Sequence, residues 1–135
     1  MIILSNTSAQ TLTAGQTLAF NNVILKSRCG TESHRNGTGQ VKLRANGIYE
    51  VSFDANVSGA TAATPVQLSL QISGATLPES TAIYTPATAD AVGHISMTTA
   101  VRNACGDYDQ ITVTNTGTEA VTIVANSCLY IKRIA

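Results

Sequence analysis

An antiparallel β-sandwich or barrel is the fold this sequence predicts, and three observations predict it. Apolar residues recur at every second position in one run after another. Clusters of Gly, Pro, Asn and Asp, such as "RNGTG", "SGATAATP" and "TNTGT", separate the runs. No stretch carries a sustained apolar stripe at helical spacing between capping residues.

The clearest run follows the Asn46-Gly47 break and spans 48–57. Tyr49, Val51, Phe53, Ala55 and Val57 fall on one face, and Glu50, Ser52, Asp54 and Asn56 on the other. A slip of one residue would bury Glu50 and Asp54, so the pattern also fixes the register. Upstream, Val41, Leu43 and Ala45 alternate with Lys42 and Arg44. Downstream, "PVQLSLQISG" sets Val66, Leu68, Leu70 and Ile72 against Gln67, Ser69, Gln71 and Ser73. Ile95, Met97, Thr99 and Val101 alternate with His94, Ser96, Thr98 and Ala100. Ile111 and Val113 lead into the turn "NTGTEA", Val121, Ile123 and Ala125 follow, and "CLYIKRIA" closes the chain. "SGATLPES" and "YTPATADAVG" read as connections. The expectation is roughly eight strands joined by short turns in one domain.

Composition narrows the function. Charged residues are 12 % of the 135 and the net charge is +0, which argues against a nucleic-acid face built of clustered Lys and Arg. No apolar segment reaches the length of a membrane span. The start "MIILSNTSAQ" has no basic region and too short an apolar run for a signal peptide, so the chain is expected to be made in the cytoplasm and to leave by assembly or lysis. The Asn-x-Ser/Thr matches at Asn6, Asn36 and Asn56 then carry little meaning. Cys29, Cys105 and Cys128 form no CxxC pair. Cys29 and Cys105 each precede a glycine in a loop, which leaves a disulfide open, but an odd count favours free thiols.

The order and spacing of the runs resemble the C1q/tumour-necrosis-factor-like jelly roll. "LAFNNV" comes first, then "GTGQVKLRANGIYEVSFDANV", "VQLSLQISG", "ACGDYDQITVTN" and the apolar ending. The residues that carry the likeness are Phe20, Val23, Gly39, Val41, Gly47, Tyr49, Val51, Phe53, Gly106, Asp107, Leu129 and Ile131. Within that superfamily the sequence looks most like the C-terminal heads of bacterial collagen-like, exosporium-type proteins, and like phage structural proteins. It departs from them in having no Gly-X-Y repeat, only 4 % aromatic residues and no Trp. The resemblance implies an all-β antiparallel jelly-roll sandwich over residues 16–135 that assembles as a homotrimer. Residues 1–15 are then an N-terminal edge strand or an anchor arm, with Ile2, Ile3 and Leu4 as anchor candidates.

Chemistry is sparse. A nucleophilic site needs a histidine base, and only His34, in the loop "TESHRNGTG", and His94, on a polar strand face, are available. "GATLPES" is not a nucleophile elbow, and no glycine-rich loop leads into a helix. Arg28, Arg35, Arg44 and Arg102 read as solvated or ion-pairing residues. Asp107 and Asp109 in "CGDYDQ" are the calcium-ligand candidates, since some C1q-like trimers hold calcium and hard oxygen donors suit it; an ordinary turn that opens a strand is the favoured reading of the pair. No other cofactor is expected.

The expected function is therefore non-enzymatic and structural: a trimeric bacteriophage virion component, decorating a capsid or forming a head-fibre or tail-associated knob, with itself and another virion protein as partners. The alternatives are a spore- or cell-surface head, or a carbohydrate- or receptor-binding module. The module would use "TESHRNGTG" and "YTPATADAVG", with Tyr84 and Tyr108 as its loop aromatics.

Overall fold

The computed structural model describes residues 1–28, 30–104 and 108–135. It contains twelve strands among the described residues and no helix: β1 (Ile2–Ser5), β2 (Gln10–Leu12), β3 (Asn22–Lys26), β4 (Glu32–His34), β5 (Val41–Leu43), β6 (Gly47–Ser58), β7 (Val66–Ile72), β8 (Ala75–Tyr84), β9 (Val92–Asn103), β10 (Gln110–Asn115), β11 (Val121–Ile123) and β12 (Cys128–Arg133). All their pairings are antiparallel.

Two sheets result. The seven-stranded sheet is built on β6, whose whole length pairs with β9, from Gly47 opposite Asn103 to Ser58 opposite Val92. The other edge of β6 holds two strands end to end. β12 pairs with Tyr49–Asp54 and leads on to β1 and β3, while β11 pairs with Val57 and Ser58 and leads on to β2. The five-stranded sheet runs β4-β5-β10-β7-β8. The edges of β8 and β9 meet along one side of the sandwich, where the Tyr84 hydroxyl donates to the Ala91 carbonyl at 2.9 Å.

The alternating residues make the core. Tyr49, Val51, Phe53, Ala55 and Val57 of β6 all lie buried, against Val41, Leu43, Leu68, Leu70, Ile111 and Val113 of the other sheet. Phe20 meets Phe53 edge to face, with ring centroids 6.4 Å apart, and Leu129 and Ile131 complete the layer. The buried Tyr49 hydroxyl donates to the Ala45 carbonyl at 2.7 Å, which satisfies its one polar atom. Glu50, Ser52, Asp54 and Asn56 face outward, as the register argument requires. Gly39 and Gly47 are sites of close backbone approach. A Cβ at Gly39 would strike the Leu18 carbonyl and the Thr17 methyl, and one at Gly47 the Arg133 side chain and the Ala135 carbonyl.

Three expectations need correction. Ile2 and Leu4 are wholly buried, and β1 is hydrogen-bonded on both sides, to β12 and to β3. Residues 2–5 are thus an interior strand rather than an exposed anchor, while β2, in the same N-terminal stretch, is an edge strand that among the described residues pairs only with β11. Val23 is 41 % exposed on the edge strand β3 and does not belong to the core. "SGATLPES" is mostly strand: β8 covers 75–84, with Pro78 where the register against β7 shifts, and β8 is an edge strand. An edge and a bulge are the places where a sheet tolerates a residue without an N–H.

Candidate functional site

The outer face of the seven-stranded sheet is where the molecule has exposed apolar surface without an internal partner. The antiparallel registers place Leu25, Ile3, Tyr130, Ser52 and Thr98 side by side in one row across β3, β1, β12, β6 and β9. The first three are apolar or aromatic, and the last two are joined by a hydroxyl–hydroxyl hydrogen bond of 3.2 Å. Beside them β3 shows a free edge: among the described residues it pairs only with β1. Val23, Ile24 and Leu25 on that strand are 41 %, 57 % and 42 % exposed. An apolar strand with an unpaired edge is a surface that natural proteins cover. The far side of the sandwich, along the β8 and β9 edges, exposes Ile83 and Val92.

The neighbouring row is polar. Cys128 stands opposite Asp54, and Asp54 opposite Ser96. Burial, and secondarily the Asp54 carboxylate, push the Cys128 thiol above its ordinary value, so it is a poor nucleophile at neutral pH. His94, on the same face, lies 3.0 Å from Asn56 Oδ1 and 4.0 Å from Asp54 Oδ1 through its other nitrogen. His34 sits at the end of β4 with Nδ1 3.0 Å from the Gln40 carbonyl and Nε2 3.1 Å from that of Phe20. Among the described residues neither histidine is bonded to a serine or a cysteine.

Asp107 lies outside the described residues, as do Gly106, Cys29 and Cys105, so the disulfide question falls there too. Asp109 accepts from the Ser73 hydroxyl at 2.9 Å, while its amide donates to Asn103 at 3.2 Å. Among the described residues no group of three metal-ligating side chains occurs.

Sequence reading missed two kinds of residue. Tyr130 was passed over as an ordinary strand residue, and Ile3 was singled out only together with Ile2 and Leu4 as an anchor, although Tyr130 and Ile3 are the out-facing neighbours of buried residues. Three buried asparagines, Asn6, Asn103 and Asn115, clamp loops through side-chain hydrogen bonds. Nothing local in the sequence marks them, because their partners lie far along the chain.

No sequence-family profile matches the chain, and no curated protein matches it in sequence. Solved structures do. The globular domain of zebrafish complement 1qA protein is 12 % identical, with a TM-score of 0.68 over 96 % of this chain and 94 % of that one. Eiger TNF from S. frugiperda is 10 % identical, with a TM-score of 0.75 over 99 % and 91 %. Murine APRIL is 14 % identical, with a TM-score of 0.69 over 97 % and 98 %. At such identities the likeness speaks to architecture, and the architecture is the antiparallel jelly roll of C1q and TNF domains.

Proposed function

We propose that this chain is a non-enzymatic structural knob that works as a homotrimer seated on a larger assembly. The observation that carries the reading is the apolar row of Leu25, Ile3 and Tyr130 beside the free edge of β3. A threefold ring closes through two unlike patches meeting head to tail. The β3 side of the long sheet supplies one patch, and the β8–β9 edge, with Ile83 and Val92, supplies the other on the opposite side. The resemblance to C1q/TNF-like domains, a family of compact homotrimers, favours three copies over two. Low charge supports it as well, because interface cores are depleted of charged side chains.

Within that reading the assembly is a bacteriophage virion, where threefold and quasi-threefold positions suit a trimeric knob by symmetry. Mass spectrometry of purified virions tests this placement separately, and finding the chain on spore or cell surfaces instead would replace it.

The trimer is tested by light-scattering mass. Tyr130→Lys and Ile83→Lys each put a charge into one of the two patches without touching the core. Each is expected to lower the mass of the particle while the β-sheet circular dichroism is kept. If both variants keep the parent mass, these patches are not the interface.

A further inference from the structure

The five-stranded sheet carries a second feature, on the side of the sandwich away from the assembly face. A groove of about 370 Å³ opens between the β4–β5 hairpin and its turn. Cations dominate it: Arg35, Lys42 and Arg44 line it together with His34, Gln40 and the hydroxyls of Ser33 and Thr38, and among the described residues no carboxylate does. This is unexpected in a chain with 8 basic and 8 acidic residues and a net charge of +0. Three of the eight Lys and Arg residues line it, with no compensating acid among the described residues.

The strand pattern explains the convergence. Lys42 and Arg44 are two positions apart on and just beyond β5, so both project outward, about 7 Å apart at their Cα atoms. Ser33 of β4 stands directly opposite Lys42. Its hydroxyl accepts from Arg44 Nε at 2.8 Å, which aims the guanidinium and leaves its terminal N–H groups to the groove. The Thr38 hydroxyl donates to the Arg35 carbonyl at 2.7 Å and fixes the turn that brings Arg35 across. The His34 ring is held between two backbone carbonyls, with Nδ1 3.0 Å from that of Gln40 and Nε2 3.1 Å from that of Phe20, which fixes its orientation at the groove.

The acid nearest in the chain, Glu32, is directed away. It is 1 % exposed and accepts from the Met1 ammonium at 2.8 Å and the Thr31 hydroxyl at 3.1 Å. Among the described residues no ion pair involves Arg35, Lys42 or Arg44.

We propose that this groove binds a phosphate or sulfate ester group carried on a small polar molecule such as a sugar. Guanidinium, ammonium and hydroxyl groups lining one groove match the donors that a tetrahedral oxyanion takes. The volume exceeds one such group and leaves space for its carrier. Apart from the His34 ring no aromatic side chain lines the groove, which disfavours a stacked nucleobase.

Isothermal titration with a monosulfated disaccharide, its unsulfated parent, inorganic sulfate and inorganic phosphate tests the proposal. The sulfated sugar is expected to bind and the neutral parent not to. Free sulfate or phosphate binding as tightly as the sulfated sugar would assign the site to the bare ion and overturn the carrier half of the claim. Lys42→Ala and Arg44→Ala are each expected to weaken binding about tenfold. Arg102→Ala, a cation on the other sheet, is expected to leave it unchanged. Equal binding by the Lys42→Ala/Arg44→Ala double variant, or no heat from any of the four probes, overturns the site. All of these side chains are exposed, so the variants should keep the parent melting temperature and particle mass, and failure here is separable from failure of the trimer.

Discussion

Asn6 and Ser127, 121 positions apart, are joined twice: the Asn6 carboxamide oxygen accepts from the Ser127 amide at 3.0 Å and from the Ser127 hydroxyl as well. The Asn6 side-chain N–H groups donate to the carbonyls of Ser8 and Val124, and its own carbonyl accepts from Asn126. Both residues are buried, and together they lock the exit of β1 to the β11–β12 turn.

Removing that carboxamide strands buried donors and acceptors. Asn6→Ala is expected to cost about 2–3 kcal/mol, a fall of roughly 10 °C in Tm for a domain of this size. Thermal melting by circular dichroism checks it, and an unchanged melt would mean the latch contributes nothing. The same burial closes the Asn6 sequon to glycosylation in the folded chain.

Ser80 is the contrasting case. Its hydroxyl is buried and has no hydrogen-bond partner among the described residues. Ser80→Ala removes an unsatisfied group, so stability should hold or rise by up to about 1 kcal/mol. Asn115→Ala deletes bonds to Leu12, Glu119 and Gly117 and should cost about 2–3 kcal/mol. Finding the two variants equally damaged in chemical denaturation would refute the distinction.

Cys128 gives the pH-dependent prediction. Burial first, and Asp54 second, raise its pKa above the ordinary 9.0. The folded state then holds the thiol proton after the unfolded chain has lost it. This contribution to stability is complete below about pH 9 and is lost as pH rises through the folded value. Iodoacetamide at pH 8 should label Cys128 more slowly in the folded chain than in urea. Asp54→Asn should speed labelling, because one cause of the shift is gone. Equal rates in folded and unfolded chain, read by peptide mapping, would contradict this.

The sandwich was legible in the sequence because half-buried strands write a two-residue period. Every in-facing residue assigned on β6, from Tyr49 to Val57, lies in the core. β8 was not legible, since as an edge strand with a bulge it tolerates Pro78, which together with the preceding Gly74 turn reads as a connection. Val23 was misplaced because it was set by the likeness of "LAFNNV" to a family motif, which does not say whether that face of the strand is covered. The groove left only a faint trace: Lys42 and Arg44 on one face, with Arg35 in the facing turn. The asparagine latches left none, because a polar residue paired across more than a hundred positions looks locally like any loop residue.

Sedimentation equilibrium of the unmodified chain at micromolar concentration tests the central claim most directly. Association in threes predicts one species at three times the 14.0 kDa of the chain, independent of loading concentration. A single species at 14.0 kDa across the whole range would contradict it.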